Sequence, residues 1–282
     1  MIRNSQKGAA LITVLLVFFI ASVIAIGMVT AQQLSIRRAT HWLDRAQAYQ
    51  FALGAESAAR QLLFQDFTAD STRDTLRDNW AGAHVFTIKD GSVSFTVEDL
   101  QGRFNIAMLT RTNQNTWAAF RKLLKKLEIE IAFNQSMLLR MKATLPGENF
   151  SHMSELRLLP GMTEEKYTKL LPYLACLPDT SSTLNLNTAP ELILSLFLPD
   201  DVKKKILRQR QEKGGLTGAD IYSLQGDTSN MGAASQYFAV HIRIDYQGAP
   251  FYMTSIIERK AGGQGGVTMT TLSRDITAAP NG

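Results

Sequence analysis

The chain has 282 residues, 45% of them hydrophobic, and a formal net charge of +5. That length can bury one mixed domain or two smaller ones. One cysteine, Cys176, excludes an intrachain disulfide, and the basic residues are spread out, the densest run being Lys203-Lys204-Lys205 behind Asp200 and Asp201.

Residues 1–8 form a short basic leader with Arg3 and Lys7, ending at the junction Gly8-Ala9. The apolar run 9–31 follows, its only hydroxyl residues being Thr13, Ser22 and Thr30. As a helix this run is about 35 Å long, against a bilayer core of about 30 Å, so it is read as a transmembrane helix. A cleaved secretory signal fits poorly, because the run is long and passes into Gln32-Gln33-Leu34-Ser35-Ile36-Arg37-Arg38 without a small-residue site. A plain anchor and a leader cut ahead of the helix both stay open on hydropathy. Arg3 and Lys7 point the N-terminus to the cytoplasm, although Arg37 and Arg38 weaken the asymmetry. The remainder is expected in the periplasm, with the chain held once in the inner membrane.

Residues 32–67 continue as an amphipathic helix. Ala39, Trp42, Leu43, Ala46, Tyr49, Leu53, Ala55, Ala59, Leu62 and Leu63 recur at helical spacing, and Gly54 is the one glycine from 34 to 64. Next comes a hairpin from His84 to Asp99, with Val93, Phe95 and Val97 alternating and Asp90-Gly91 as its turn. A short strand over Arg103-Phe104-Asn105-Ile106 follows. From Asn113 to Leu224 the pattern is helical, on Trp117, Phe120, Leu123, Leu124 and Leu127, then Met137, Leu138 and Met141, then Tyr167, Leu170, Leu171 and Leu174. Strands return at 237–246, 250–259 and 267–274. The organisation is therefore an α+β domain over 68–110 and 226–275, an inserted helical domain over 111–225, and a flexible tail over 276–282. One antiparallel sheet is expected, packed against the stem helix.

The stretch Lys7-Gly8-Ala9-Ala10-Leu11-Ile12-Thr13-Val14-Leu15-Leu16 resembles the class III signal of type IV pilins and type II secretion pseudopilins. That resemblance implies cleavage after Gly8 by a prepilin peptidase and N-methylation of Ala9; Ala9 departs from the usual Phe or Met. The order of stem, sheet and helical insertion resembles the K-type minor pseudopilins of type II secretion. So do Gln33 to Arg38, Ala48-Tyr49-Gln50-Phe51-Ala52-Leu53-Gly54-Ala55-Glu56, Glu98-Asp99-Leu100-Gln101-Gly102-Arg103-Phe104-Asn105, Leu159-Pro160-Gly161-Met162 and Leu184-Asn185-Leu186-Asn187-Thr188-Ala189-Pro190.

The resemblance implies a pilin-like fold and no enzymatic activity. It also implies a place at the tip of the pseudopilus, where the chain initiates assembly and supports protein export across the outer membrane. The implied partners are minor pseudopilins of the I and J types, the major pseudopilin, the prepilin peptidase, the inner-membrane assembly platform, secretin and exported proteins. A minor pilin of a type IV pilus and an uncleaved membrane-anchored binding module are the alternatives.

Thr13 is the fifth residue after Gly8, where most of the family carries Glu. A buried carboxylate at that depth costs several kcal/mol without a partner. The resemblance implies that this partner is the terminal amine of a neighbouring subunit, which a tip subunit lacks. A threonine merely tolerated in an anchor is the other reading; the bulky helical insertion, which would obstruct stacking along a shaft, favours Thr13 as a mark of the tip.

Residues 184–224 look like a helix-hairpin-helix unit. Its turn, Leu198-Pro199-Asp200-Asp201, carries two carboxylates and a residue without an amide proton, which argues against nucleic acid. Thr188 is expected to cap the first helix, with Glu191 reaching back. Ser151 and Ser154 read as helix-start residues. Lys203, Lys204, Lys205, Arg208 and Arg210 read as a solvated face. His41, His84, His152 and His241 lack metal-ligand spacing, and Cys176 reads as a small buried residue. Calcium is the one cofactor considered, with Asp227 and Asn230 as candidate ligands in Gly226-Asp227-Thr228-Ser229-Asn230-Met231-Gly232.

Overall fold

In the structure, a computed structural model, residues 5–110, 114–130, 153–158, 161–224, 228–262 and 266–277 are described. The chain separates into two compact units, Met1–Gln50 and Phe51–Gly282.

Helix α1 runs Ser5–Ala69. Apart from Gly54 it holds only residues compatible with helix interiors beyond the apolar run, so nothing stops it at the end of that run. Gly8 and Ala9 lie in its first turns. In the first unit the large apolar side chains, among them Leu16, Phe18 and Ile24, are exposed. The hydroxyls of Ser22 and Thr30 donate to the carbonyls of Phe18 and Ile26 at 2.8 and 2.5 Å. This back-bonding hides a polar group inside an apolar surface.

In the second unit the residues of α1 that become buried are Ala52, Ala55, Glu56, Ala59 and Leu63. Spacings of three and four put them on one face. The expected stripe is displaced: Leu53 and Leu62 are only half-buried, and Ala52 replaces them. Small side chains let a helix backbone lie close to a sheet, which a stripe of leucines would prevent.

The elements after α1 follow in chain order. Strands β1 (Ala83–Ile88), β2 (Gly91–Asp99) and β3 (Phe104–Asn105) precede helix α2 (Gln114–Lys126). Helix α3 (Glu164–Leu170) and strands β4 (Leu174–Ala175) and β5 (Leu184–Asn185) come next. Helices α4 (Glu191–Phe197), α5 (Asp200–Lys213) and α6 (Gly218–Tyr222) follow. Strands β6 (Met231–Gly232), β7 (Tyr237–Tyr246), β8 (Ala249–Ala261) and β9 (Val267–Thr277) close the chain.

The main sheet has five antiparallel strands in the order β1-β2-β7-β8-β9. The first hairpin turns at Lys89-Asp90, one residue earlier than expected. Asp90 takes the positive φ of 64°, and Gly91 opens β2. Gly91 is needed there for space, since a Cβ would sit 2.0 Å from the Asp245 carbonyl oxygen. Strand β9 reaches Thr277, which pairs with Tyr252, so Ile276 and Thr277 belong to the sheet and not to a tail.

The inserted block packs its own apolar core, with Phe104, Phe120, Leu123, Leu156, Leu170, Leu186, Ile193, Leu194 and Ile206 buried. It is not purely helical. Two-residue parallel ladders join β3 to β4 and β5 to β6, tying it to the chain that enters and leaves it. The expected face of Met137, Leu138 and Met141, like Ser151 and His152, lies outside the described residues. Ser154 stands near the start of a short 3₁₀ turn, Met153–Leu158.

Candidate functional site

Two of the family-like stretches quoted above meet in a buried polar junction. The stretch 98–105 closes β2 and enters β3; the stretch 184–190 starts with β5 and leads into α4. Asn185 donates through Nδ2 to an Asp99 carboxylate oxygen (2.8 Å), to the Ser235 hydroxyl (2.9 Å) and to the Asp74 carbonyl (3.1 Å). The same Asp99 oxygen accepts from the hydroxyls of Thr188 and Ser235, both at 2.6 Å, while its other oxygen accepts from the Gln101 amide at 2.8 Å. Thr188 is therefore spent on Asp99 and does not cap α4. Pro190 precedes that helix without a side-chain cap, and Glu191 pairs with Lys203 at 3.1 Å. A reciprocal capping box does occur at Thr217 and Asp220, where it starts α6.

Gly102 explains how the two stretches come so close. A Cβ there would lie 2.9 Å from the Thr188 hydroxyl and 3.2 Å from the Ala189 nitrogen. Asn105 and Asn187 extend the lock. Asn105 accepts the amides of Ala107 and Leu177 and donates to the Asp179 carbonyl; Asn187 donates to the carbonyls of Leu216 and Ala233.

Beside this junction, Arg259 of β8 is almost fully buried and donates to both Asp74 carboxylate oxygens at 2.5 and 2.6 Å. It also donates to the carbonyls of Ser235 and Leu63, and its guanidinium stands over the rings of Phe67 and Phe238. Asp66, at the end of α1, lies 3.6 Å away. Burial, with repulsion from Asp78 and Asp74, pushes the Asp66 carboxyl up to about 7. Burial pushes Asp99 up to about 6 against the pull of the Ser235 and Thr188 hydroxyls.

A second lock fastens the helix to the sheet. Burial opposes ionisation of Glu56, but bonds from Arg274, Ser255 and Thr271 hold its carboxyl below the usual range. Arg274 meets it through two bonds of 2.7 and 2.9 Å, and the two hydroxyls donate at 2.7 Å.

Thr13 is exposed on the first unit, within the apolar surface. Cys176 is half-buried, and burial pushes its thiol up to about 12, which keeps it protonated and a poor nucleophile at neutral pH. Of the basic residues on α5, Arg210 turns inward to the carbonyls of Leu186 and Ala189, Lys203 pairs with Glu191 and Asp200, and Arg208 pairs with Glu212. Lys204, Lys205 and Arg208 of that group match the expected solvated face. Asp227 lies outside the described residues. Asn230 is exposed, and its carbonyl already accepts the Leu184 amide. Among the described residues no group of three His, Cys, Asp or Glu side chains gathers to hold a metal.

The sequence profile of type II secretion system protein K matches residues 102–179, the stretch that runs from the junction through the first half of the insertion. A protein K of Pseudomonas aeruginosa is 28% identical over 93% of this chain and 91% of its own length. Those of Klebsiella pneumoniae and Aeromonas hydrophila are each 29% identical, over 85% and 74% of this chain and 86% and 77% of theirs. The chain is thus similar over most of its length to protein K of type II secretion, a minor pseudopilin and a component of protein transport. Its α+β fold agrees with a solved relative, a chain in the crystal structure of the GspK-GspI-GspJ complex from enterotoxigenic Escherichia coli, at a TM-score of 0.71 and 21% identity over 86% of this chain and all of that one. The apolar segment of α1 is long and apolar enough to cross a membrane, with a mean hydropathy of 2.9.

The Glu56–Arg274 and Asp74–Arg259 pairs were not singled out from sequence. Their signals were faint: an acid on an otherwise alanine-rich helix face, and an arginine at a buried position of an alternating strand.

Proposed function

We propose that this chain is a K-type minor pseudopilin, a non-catalytic subunit at the tip of the pseudopilus. It initiates assembly with partners of the I and J types and supports export across the outer membrane. Residues 9–31 anchor it in the inner membrane, the second unit lies in the periplasm, and the leader is removed after Gly8 with methylation of Ala9. The observation that carries this reading is the exposed, acid-free apolar surface over residues 11–31, with Thr13 where a shaft subunit carries a carboxylate. Such a surface is satisfied by lipid or by neighbouring stems and offers no anion to a terminal amine above it. The solved complex of GspK with GspI and GspJ supports the choice of partners.

Counting labelled copies per purified pseudopilus tests the reading. One copy per fibre is the expected result; many copies along the shaft would overturn it. Mass spectrometry of the mature N-terminus, with and without prepilin peptidase, should find Ala9 methylated only when the peptidase is present.

A further inference from the structure

Positive charge in the second unit is concentrated on two helices. Helix α2 carries four basic residues and no acid, and α5 carries six basic and three acidic residues. Together they exceed the +5 of the whole chain, so everything else is slightly acidic. Both helices pack on α4, and Lys126 and Lys204 both act on the Asp200 carboxylate, so the end of α2 adjoins the start of α5.

On α2 the spacing of Arg121, Lys122, Lys125 and Lys126 places all four on the face opposite Phe120, Leu123 and Leu124. All four are exposed, and among the described residues none is paired with a carboxylate. Among the described residues the Lys122 ammonium reaches the Leu196 carbonyl, at 3.5 Å. Lys125 and Lys126 suit the negative end of the helix dipole, but Arg121 and Lys122 lie a turn earlier and repel the two cations four residues on. Among the described residues no paired carboxylate offsets that repulsion.

We propose that this ridge, Arg121, Lys122, Lys125 and Lys126 extended by Lys204 and Lys205, docks an acidic protein surface. A membrane surface fits worse, because neither α2 nor α5 exposes a large apolar side chain to enter the headgroup region. Nucleic acid fits worse too: α5 begins with Pro199, Asp200 and Asp201, and Lys203 is already neutralised. The inference rests on charge distribution and does not require the tip position.

The test uses the full chain in nonionic detergent and fluorescent poly-L-glutamate, read by anisotropy. The quadruple variant R121Q/K122Q/K125Q/K126Q should bind about tenfold more weakly, and K204Q/K205Q should add to that loss. Wild-type affinity should fall about tenfold between about 0.05 and about 0.3 M NaCl. The control R37Q/R38Q/R45Q/K89Q removes equal charge elsewhere and should bind like wild type. Equal weakening by control and ridge variants, an unaffected ridge variant, or tighter binding to phosphatidylglycerol nanodiscs or duplex DNA than to polyglutamate would each overturn the proposal. Circular dichroism confirms that each glutamine variant remains folded.

Discussion

The two halves of helix α1 share one backbone conformation and meet opposite fates. Up to Gln50 its leucines, isoleucines and phenylalanines face outward; beyond Phe51 it buries alanines, one leucine and one glutamate. The buried half owes its place to close approach and a few saturated polar contacts, and the exposed half to apolar area that no part of its own unit covers. Stability should therefore be sensitive in the second half, and membrane insertion and assembly in the first.

Arg259→Ala is the harshest way to break this division. It leaves the Asp74 carboxylate buried without its cation, so the second unit should lose about 3–5 kcal/mol in denaturant unfolding while membrane insertion is unchanged. Glu56→Ala strands Arg274, Ser255 and Thr271 and should cost about 2–3 kcal/mol by the same assay. Overpacking the helix–sheet contact with Ala59→Leu should cost about 1–3 kcal/mol.

The pH response sharpens the comparison further. The raised Asp66 and Asp99 carboxyls stabilise the fold below the usual carboxylate range, and that stability is lost as pH rises through about 6 to about 7. Glu56 and Glu98 are held low, so their contribution is already complete above pH 5 or so. The melting temperature should thus fall from about pH 5 to about pH 8, and Asp66→Asn should flatten the slope. At the small end, Trp42→Ala with Leu43→Ala should change unfolding by less than about 0.5 kcal/mol. Their effect should appear in cross-linking yield between stems, since both side chains are exposed, at 69% and 59%.

Periodicity revealed the elements. Alternation located β2, and 3.6-residue spacing located α2 and α3, because each buries one face. The hairpin turn was misjudged by one residue because Gly91 looked like a turn glycine, whereas it is a strand glycine required by the passing Asp245 carbonyl. Thr188 fitted a capping signature, yet tertiary contact with Asp99 claims its hydroxyl. The resemblance picked out both stretches that form the junction, but not that they touch each other. Contacts between residues some eighty positions apart leave no local trace. The basic ridge was hidden for the same reason, since α2 and α5 adjoin only after folding.

The cross-bracing of Asp99 by Asn185 and Thr188 bears on how this head can be dissected. Excising the insertion would remove two of the donors that hold the Asp99 carboxylate at the end of the sheet. A truncated head that fails in secretion would then report collapse of its foundation as much as loss of the excised part. Point changes on the outer helices separate those two outcomes cleanly.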